Sequence, residues 1–342
     1  RSKAAQAEFE RMNQEAQEAL SRLDGHAKTG AHVLEDAKTH ASKIGQLRSQ
    51  AEGFAAGKHN QDSQGSSQRT ETNALAIQAA TQLQNDPAAS DLDRLRARAI
   101  QASQVSPTTA AQALKAFDLW KAVTLIAPQD ASAHFNAGYW AQQLYKMDAR
   151  PGKTHWLEML VFFYEQALWI KPDKYEAAYN WGTALGKEAK ALAEQDLPAA
   201  REMWRRAGEK YAQALQIKPD KHVAFYNWGA ALSAEAKAIN QQNPSEARGL
   251  WGHAVEKYKQ SLQIERVKNK AIYNLACVYS LQGRAADAVA QLEAARQADE
   301  LPDQWRTDPD LNPIRTSAEY QAWVAQLFPN PIPTDTNASK GT

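Results

Sequence analysis

The chain has 342 residues, 43% hydrophobic and 23% charged, enough for two domains or for one long repeat array. Lys and Arg number 40 against 39 Asp and Glu, a net charge of +1, so no broad basic face for nucleic acid is expected. One Cys excludes an internal disulfide and leans toward a reducing compartment, and no run of about 18 apolar residues is present to span a bilayer. No secretory signal pattern follows Arg1, so a cytoplasmic location is expected, with a membrane anchor upstream of Arg1 left open as an alternative.

Residues 1–58 form the first region. Phe9, Asn13, Ala16, Leu20 and Leu23 open a series that continues to Ala51 at alternating steps of four and three. That spacing is a coiled-coil seam. The seam is rich in Ala, and Gly25, Gly30 and Gly45 weaken the helix. Two readings follow: a self-associating coiled coil that makes a homo-oligomer, or a long helix or hairpin packed within the chain. Residues 59–72 are polar and read as a linker.

From Asn73 the pattern is helical throughout. Asn73–Leu83 reads as one helix, ended by Asn85-Asp86-Pro87, and a helix pair follows over 90–126. A recurrence then sets in. Tyr179-Asn180-Trp181-Gly182 returns as Tyr226-Asn227-Trp228-Gly229 and as Tyr273-Asn274-Leu275-Ala276, at a constant spacing of 47. Tyr164, Tyr211 and Tyr258 repeat in the same step. Within one unit, Ala178, Trp181, Leu185, Ala189 and Leu192 form one helical face, and Trp204, Ala207, Tyr211 and Ala214 form another. Pro198 suits the first turn of the second helix, and Lys218-Pro219-Asp220 ends it. The unit is an antiparallel helix pair, and stacked copies make a solenoid.

A last helix, Ser317–Leu327, follows Asp308-Pro309-Asp310-Leu311 and would cap the apolar face of the final unit. Residues 328–342 are rich in Pro and Asn and read as a disordered tail.

These units resemble the tetratricopeptide repeat family. Gly138, Gly182, Gly229 and Ala276 match the small residue of the family's first helix. Ala207, Tyr211, Ala214 and Pro219 match the spacing of its second helix, as do Ala254, Tyr258 and Ser261. The resemblance implies an all-α, right-handed superhelical solenoid of antiparallel helix pairs over 73–327, with a terminal module of bacterial type. The units at Gly182 and Gly229 depart from the family: each places 29 residues between the small residue and the Tyr of the second helix, so longer helices are expected. Trp204 and Trp251 fall in these extensions and are expected to be buried.

In the resembled family the first helix of each pair lines a concave groove. This implies two candidate rows for a protein or peptide ligand: Phe135, Tyr179, Tyr226 and Tyr273, and beside them Asn136, Asn180, Asn227 and Asn274. Asn amides can hold a ligand backbone, and aromatics offer large contact area. The same residue types also serve packing. Lys187, Lys190 and Lys237 lie further along the same helices and would favour an acidic segment.

No catalytic constellation is visible. Cys277 lies beside a small packing position and reads as core, and His26, His32, His40 and His59 lack the spacing of a helical metal site. No catalytic, metal or cofactor role is assigned. The expected function is an interaction scaffold, alone or as the sensor or adaptor arm of a larger bacterial signalling or defence protein. The alternative is an assembly module that oligomerises through residues 1–58.

Overall fold

A computed structural model describes residues 42–43, 45–47, 77–87, 89–103, 109–148, 154–265 and 270–328. Most of the expected coiled-coil region 1–58, the linker 59–72 and nearly all of the tail 328–342 therefore lie outside the described residues. The described elements are all helical. The chain divides into two compact units, Arg1–Pro128 and Gln129–Thr342. The stretch 73–327, expected as one solenoid, is shared between them.

In the first unit, residues 77–85 are helical, and α1 (Asp91–Ala102) pairs with α2 (Ala110–Ile126). Each starts in a capping box, in which a hydroxyl and a side chain three residues on satisfy each other's backbone N–H. Ser90 and Asp93 do this for α1, and Thr109 and Gln112 for α2. The pair is pinned by Trp120, whose Nε1 donates to Ser103 Oγ at 2.9 Å inside the core.

The second unit begins with α3 (Ala131–Met147) and α4 (Thr154–Ile170). Two long pairs follow: α5 (Tyr175–Leu192) with α6 (Leu197–Ile217), and α7 (His222–Ile239) with α8 (Pro244–Ile264). A shorter pair, α9 (Ala271–Leu281) and α10 (Ala285–Gln297), precedes α11 (Ala318–Leu327). The two middle pairs run 18 and 21 residues, against 11 and 13 in α9 and α10, so the extension expected from the 29-residue spacing is present.

The sequence explains these lengths. α6 and α8 each carry Pro in the first turn, where its missing N–H costs nothing. Asp196 caps α6 by accepting from Ala199 N at 2.9 Å, and Asn243 caps α8 by accepting from Glu246 N at 3.2 Å. In the short pair, Gly283 at φ +74 turns the chain after α9, a conformation a side chain would strain.

In the pairs α3/α4, α5/α6 and α7/α8 a glycine lets an aromatic ring from the second helix lie on the first. A Cβ placed on Gly138 would come within 2.8 Å of the Tyr164 ring. At Gly182 and Gly229 it would meet Tyr211 at 3.2 Å and Tyr258 at 3.0 Å. Those three tyrosines are at most 2% exposed. The added turns bury Trp204 and Trp251 to 3% and 4% exposure, in equivalent places 47 residues apart. Lys210 lies 3.9 Å from the Trp181 ring centroid and Lys257 lies 4.0 Å from that of Trp228, so a cation–π contact repeats with the fold.

Neighbouring pairs are tied by Arg201 of α6, which reaches Glu235 of α7 at 3.4 Å and also pairs with Glu246 of α8. The terminal pair is closed by Trp305, Tyr320 and Trp323, with the Trp305 and Trp323 rings 5.0 Å apart. Trp323 Nε1 donates to Glu293 Oε2 at 3.0 Å, fixing α11 against α10. The last helix, expected over 317–327 as a cap, runs from Ala318 to Leu327 and packs on the terminal pair. No helix of the described residues is long and apolar enough to cross a membrane.

Candidate functional site

Stacking the pairs sets α5, α7 and α9 side by side, and a groove of about 300 Å³ opens along them. Its walls include Thr183, Lys187 and Lys190 of α5, Asn227, Ser233 and Lys237 of α7, and Asn274 and Cys277 of α9. Asp310, from the turn Pro309–Ile314, closes one end. Helical spacing explains the membership. Thr183, Lys187 and Lys190 recur at steps of four and three on α5, as 227, 230, 233, 234 and 237 do on α7.

Of the two rows expected to face a ligand, Asn227 and Asn274 line this groove. The others are placed elsewhere. Phe135 is 0% exposed and Asn136 2%, so a ligand in the groove meets neither. Phe135 packs on Tyr164, ring centroids 6.0 Å apart, under the Lys174 ammonium at 4.9 Å. Asn136 Nδ2 is spent on the Ser132 carbonyl of its own helix at 2.9 Å. Tyr179 stacks on Tyr175 at 5.7 Å, and Asn180 is buried, with its backbone carbonyl accepting from Gln142 Nε2 at 3.5 Å. Tyr226 and Tyr273 border a second hollow of about 400 Å³, with Asn274, Lys270 and Pro302.

The Asn and Tyr rows bond to each other. Asn227 Nδ2 donates to Tyr179 Oη at 2.7 Å, and Asn274 Nδ2 donates to Tyr226 Oη at 3.2 Å. Each bond joins the first helix of one pair to that of the pair before. One N–H of each amide is thereby used in stacking the units. Asn274 Nδ2 also donates to Tyr258 Oη at 3.4 Å, whereas the rest of the Asn227 amide is left for another partner.

The electrostatics of the groove are uneven. Lys187 and Lys190 are exposed and have no acidic partner among the described residues. Lys146, at the end of α3, has its pKa lowered, first by burial and then by the charge of Lys187. Lys237 is different: its Nζ lies 2.8 and 3.1 Å from the two carboxylate oxygens of Asp310.

Beside that ion pair, Cys277, Asp308 and Asp310 bring three candidate metal-ligating atoms within 4.8 Å of one another. Their groups already have internal partners. Tyr273 Oη donates to Asp308 Oδ2 at 2.6 Å, and Asp308 Oδ1 accepts from Asp310 N at 2.9 Å. Burial, then the two carboxylates, push the Cys277 thiol up to about 12, so it is a thiol and not a nucleophile at neutral pH. A helix-spacing argument could not find this cluster, because it joins α9 to a turn more than thirty residues later.

Compared with known proteins, the chain matches no family model and no curated protein. Among solved structures it is similar to YrrB, a tetratricopeptide-repeat protein described as having an unusual peptide-binding site. Identity there is 20%, over 54% of this chain and 93% of that one, with a TM-score of 0.26. It is also similar to human IFIT1, solved as a dimer with PPP-AAAA, at 14% identity and a TM-score of 0.33. That alignment covers 76% of this chain and 66% of IFIT1. Similarity at this level leaves function to be argued from the residues of this chain.

Proposed function

We propose that the chain is an interaction scaffold that holds an extended segment of a partner protein in the groove along α5, α7 and α9. The observation that supports this most is the groove itself. The first helices of three successive pairs converge polar side chains on it, from Thr183 and Lys190 to Ser233 and Asn274. A segment laid across them would touch each unit in turn, which suits an extended chain whose backbone groups need regularly spaced partners. In this reading the chain serves as an adaptor or sensor arm, and the binding residues sit further along the helices than the Tyr and Phe row. Cys277, buried and held as a thiol, would have a packing role and no chemistry.

The test is peptide selection on the full chain, using phage-displayed linear peptides. A bulky maleimide adduct on Ser233→Cys, made in a Cys277→Ala background, would fill the groove. Selected peptides that lose binding to the adduct support the reading. Peptides that bind the adduct unchanged would move the site off these helices.

A further inference from the structure

From the pairing of Lys237 with Asp310 we infer that the free half of the groove, at Lys187 and Lys190, takes the carboxylate side chains of an acidic peptide segment. This rests on the scaffold reading above and adds the chemistry of the partner.

Lys190 and Lys237 are equivalent residues, 47 positions apart on α5 and α7, and both line the groove. One of the two is already occupied. The chain's own Asp310 sits in the groove and presents both oxygens to Lys237, at 2.8 and 3.1 Å. The turn that carries it is held from behind by Asp308, itself bound to Tyr273. The molecule thus shows how a lysine at this repeat position is satisfied: by a carboxylate entering the groove from an irregular segment. One unit earlier the same lysine stands exposed with no acidic partner among the described residues.

A second cation has been added at the vacant position. The residue equivalent to Lys187 one unit on is Ala234, so the charge at 187 is not a general feature of the repeat. Lys187 and Lys190 lie one helical turn apart, and Lys146 of α3 feels the charge of Lys187. Positive charge therefore gathers at one end of the groove, in a chain whose total charge is only +1. An anion bridging the two ammonium groups is attracted by both. Lysine suits the role because its flexible stem can follow carboxylates on alternate residues of an extended strand.

The groove favours a peptide over single-stranded nucleic acid. It offers no exposed ring for a base to stack on, since its two tyrosines, Tyr211 and Tyr258, are 2% and 1% exposed. It offers the remaining N–H of Asn227 and the side-chain oxygens of Asn227 and Asn274, which match a peptide backbone.

Fluorescence anisotropy on the full chain tests the inference, using a labelled Glu- and Asp-rich peptide, its Gln and Asn isostere, and a single-stranded oligonucleotide. The acidic peptide is expected to bind and to weaken as salt is raised. Lys187→Gln with Lys190→Gln should lower its affinity about tenfold. Asp310→Asn should raise the affinity, because it releases Lys237; a merely structural lysine would not respond in that way. Equal binding of the isostere, an unchanged affinity in the double Lys variant, or Lys-dependent binding of the oligonucleotide in preference to the peptide would overturn the inference. If the isostere binds equally and the adduct on Ser233→Cys displaces it, the acidic preference falls while the groove reading stands. If the adduct displaces neither peptide, both fall.

Discussion

Asn227 of α7 donates from Nδ2 to the hydroxyl of Tyr179 on α5 at 2.7 Å, and Asn274 of α9 repeats the bond to Tyr226 at 3.2 Å. The same two residue types that invite a ligand reading thus connect neighbouring units. Tyr179→Phe removes the acceptor and leaves the amide donor of Asn227 to find another. The expected cost is about 1 kcal/mol. A double-mutant cycle of Tyr179→Phe with Asn227→Ala, read by urea unfolding, should give a non-zero coupling energy. Additive losses would show that the bond contributes nothing.

Glycine positions on α5 separate packing from propensity. Gly182 is pressed by Tyr211 and the Ala207 carbonyl, each 3.2 Å from where a Cβ would sit. Gly182→Leu should cost roughly 1–3 kcal/mol or more. Gly186, one turn along, has its nearest neighbour at 3.6 Å. There Gly186→Ala should be neutral or stabilise by up to about 1 kcal/mol through helix propensity. Equal effects of the two changes on the thermal melt would contradict the pairing described.

The tryptophans of the long helices should behave as core. Trp204→Ala should cost on the order of 3–5 kcal/mol. Trp169 on α4 is 71% exposed and lies at the opposite extreme. Trp169→Phe should remove a large share of the iodide-quenchable fluorescence, and Trp204→Phe little of it. The reverse order would place Trp204 at the surface.

Acid should loosen the terminal cap. Hydrogen bonds from Arg296, then from Trp323 and Gln297, hold the Glu293 carboxyl down at about 2, against 4.5 ordinarily. A carboxylate with a depressed folded pKa adds stability that is present above its unfolded value. That stability is lost as pH falls from 4.5 toward 2. Unfolding midpoints measured across this window should fall more steeply for the wild type than for Glu293→Gln. Parallel curves would show that Glu293 is not coupled to the fold. The site is solvent-exposed, so high salt should shrink the difference.

Much of this was legible in the sequence, for reasons that are local. A constant step of 47 residues reports the repeat, and small residues at fixed offsets from Tyr report the helix contact, because both follow from helix geometry within one unit. The capping helix at 318–327 follows from the apolar face that the last pair must cover. The groove was only half legible. Which side chains of α5 and α7 reach it depends on how units stack, and that relation is tertiary. Asn227 lies one residue beyond the exact repeat of Tyr179, so periodicity alone hides their bond. The return of Asp308 and Asp310 to Tyr273 and Lys237 crosses more than thirty residues of intervening chain and leaves no local mark. Phe135 resembles Tyr179 and Tyr226 in sequence, yet it is fully buried where they are half-buried, and Lys174 lies over its ring.

In the proposed reading a partner segment lies along α5, α7 and α9. Photo-crosslinking tests it most directly: a peptide selected on the full chain is given a benzophenone, irradiated in complex, and its adducts are mapped by mass spectrometry. Adducts are predicted on the groove residues of all three helices, around Lys187, Ser233 and Asn274. Adducts confined to α4, α6 and α8, or to residues 1–58, would contradict the account and favour assembly through another surface.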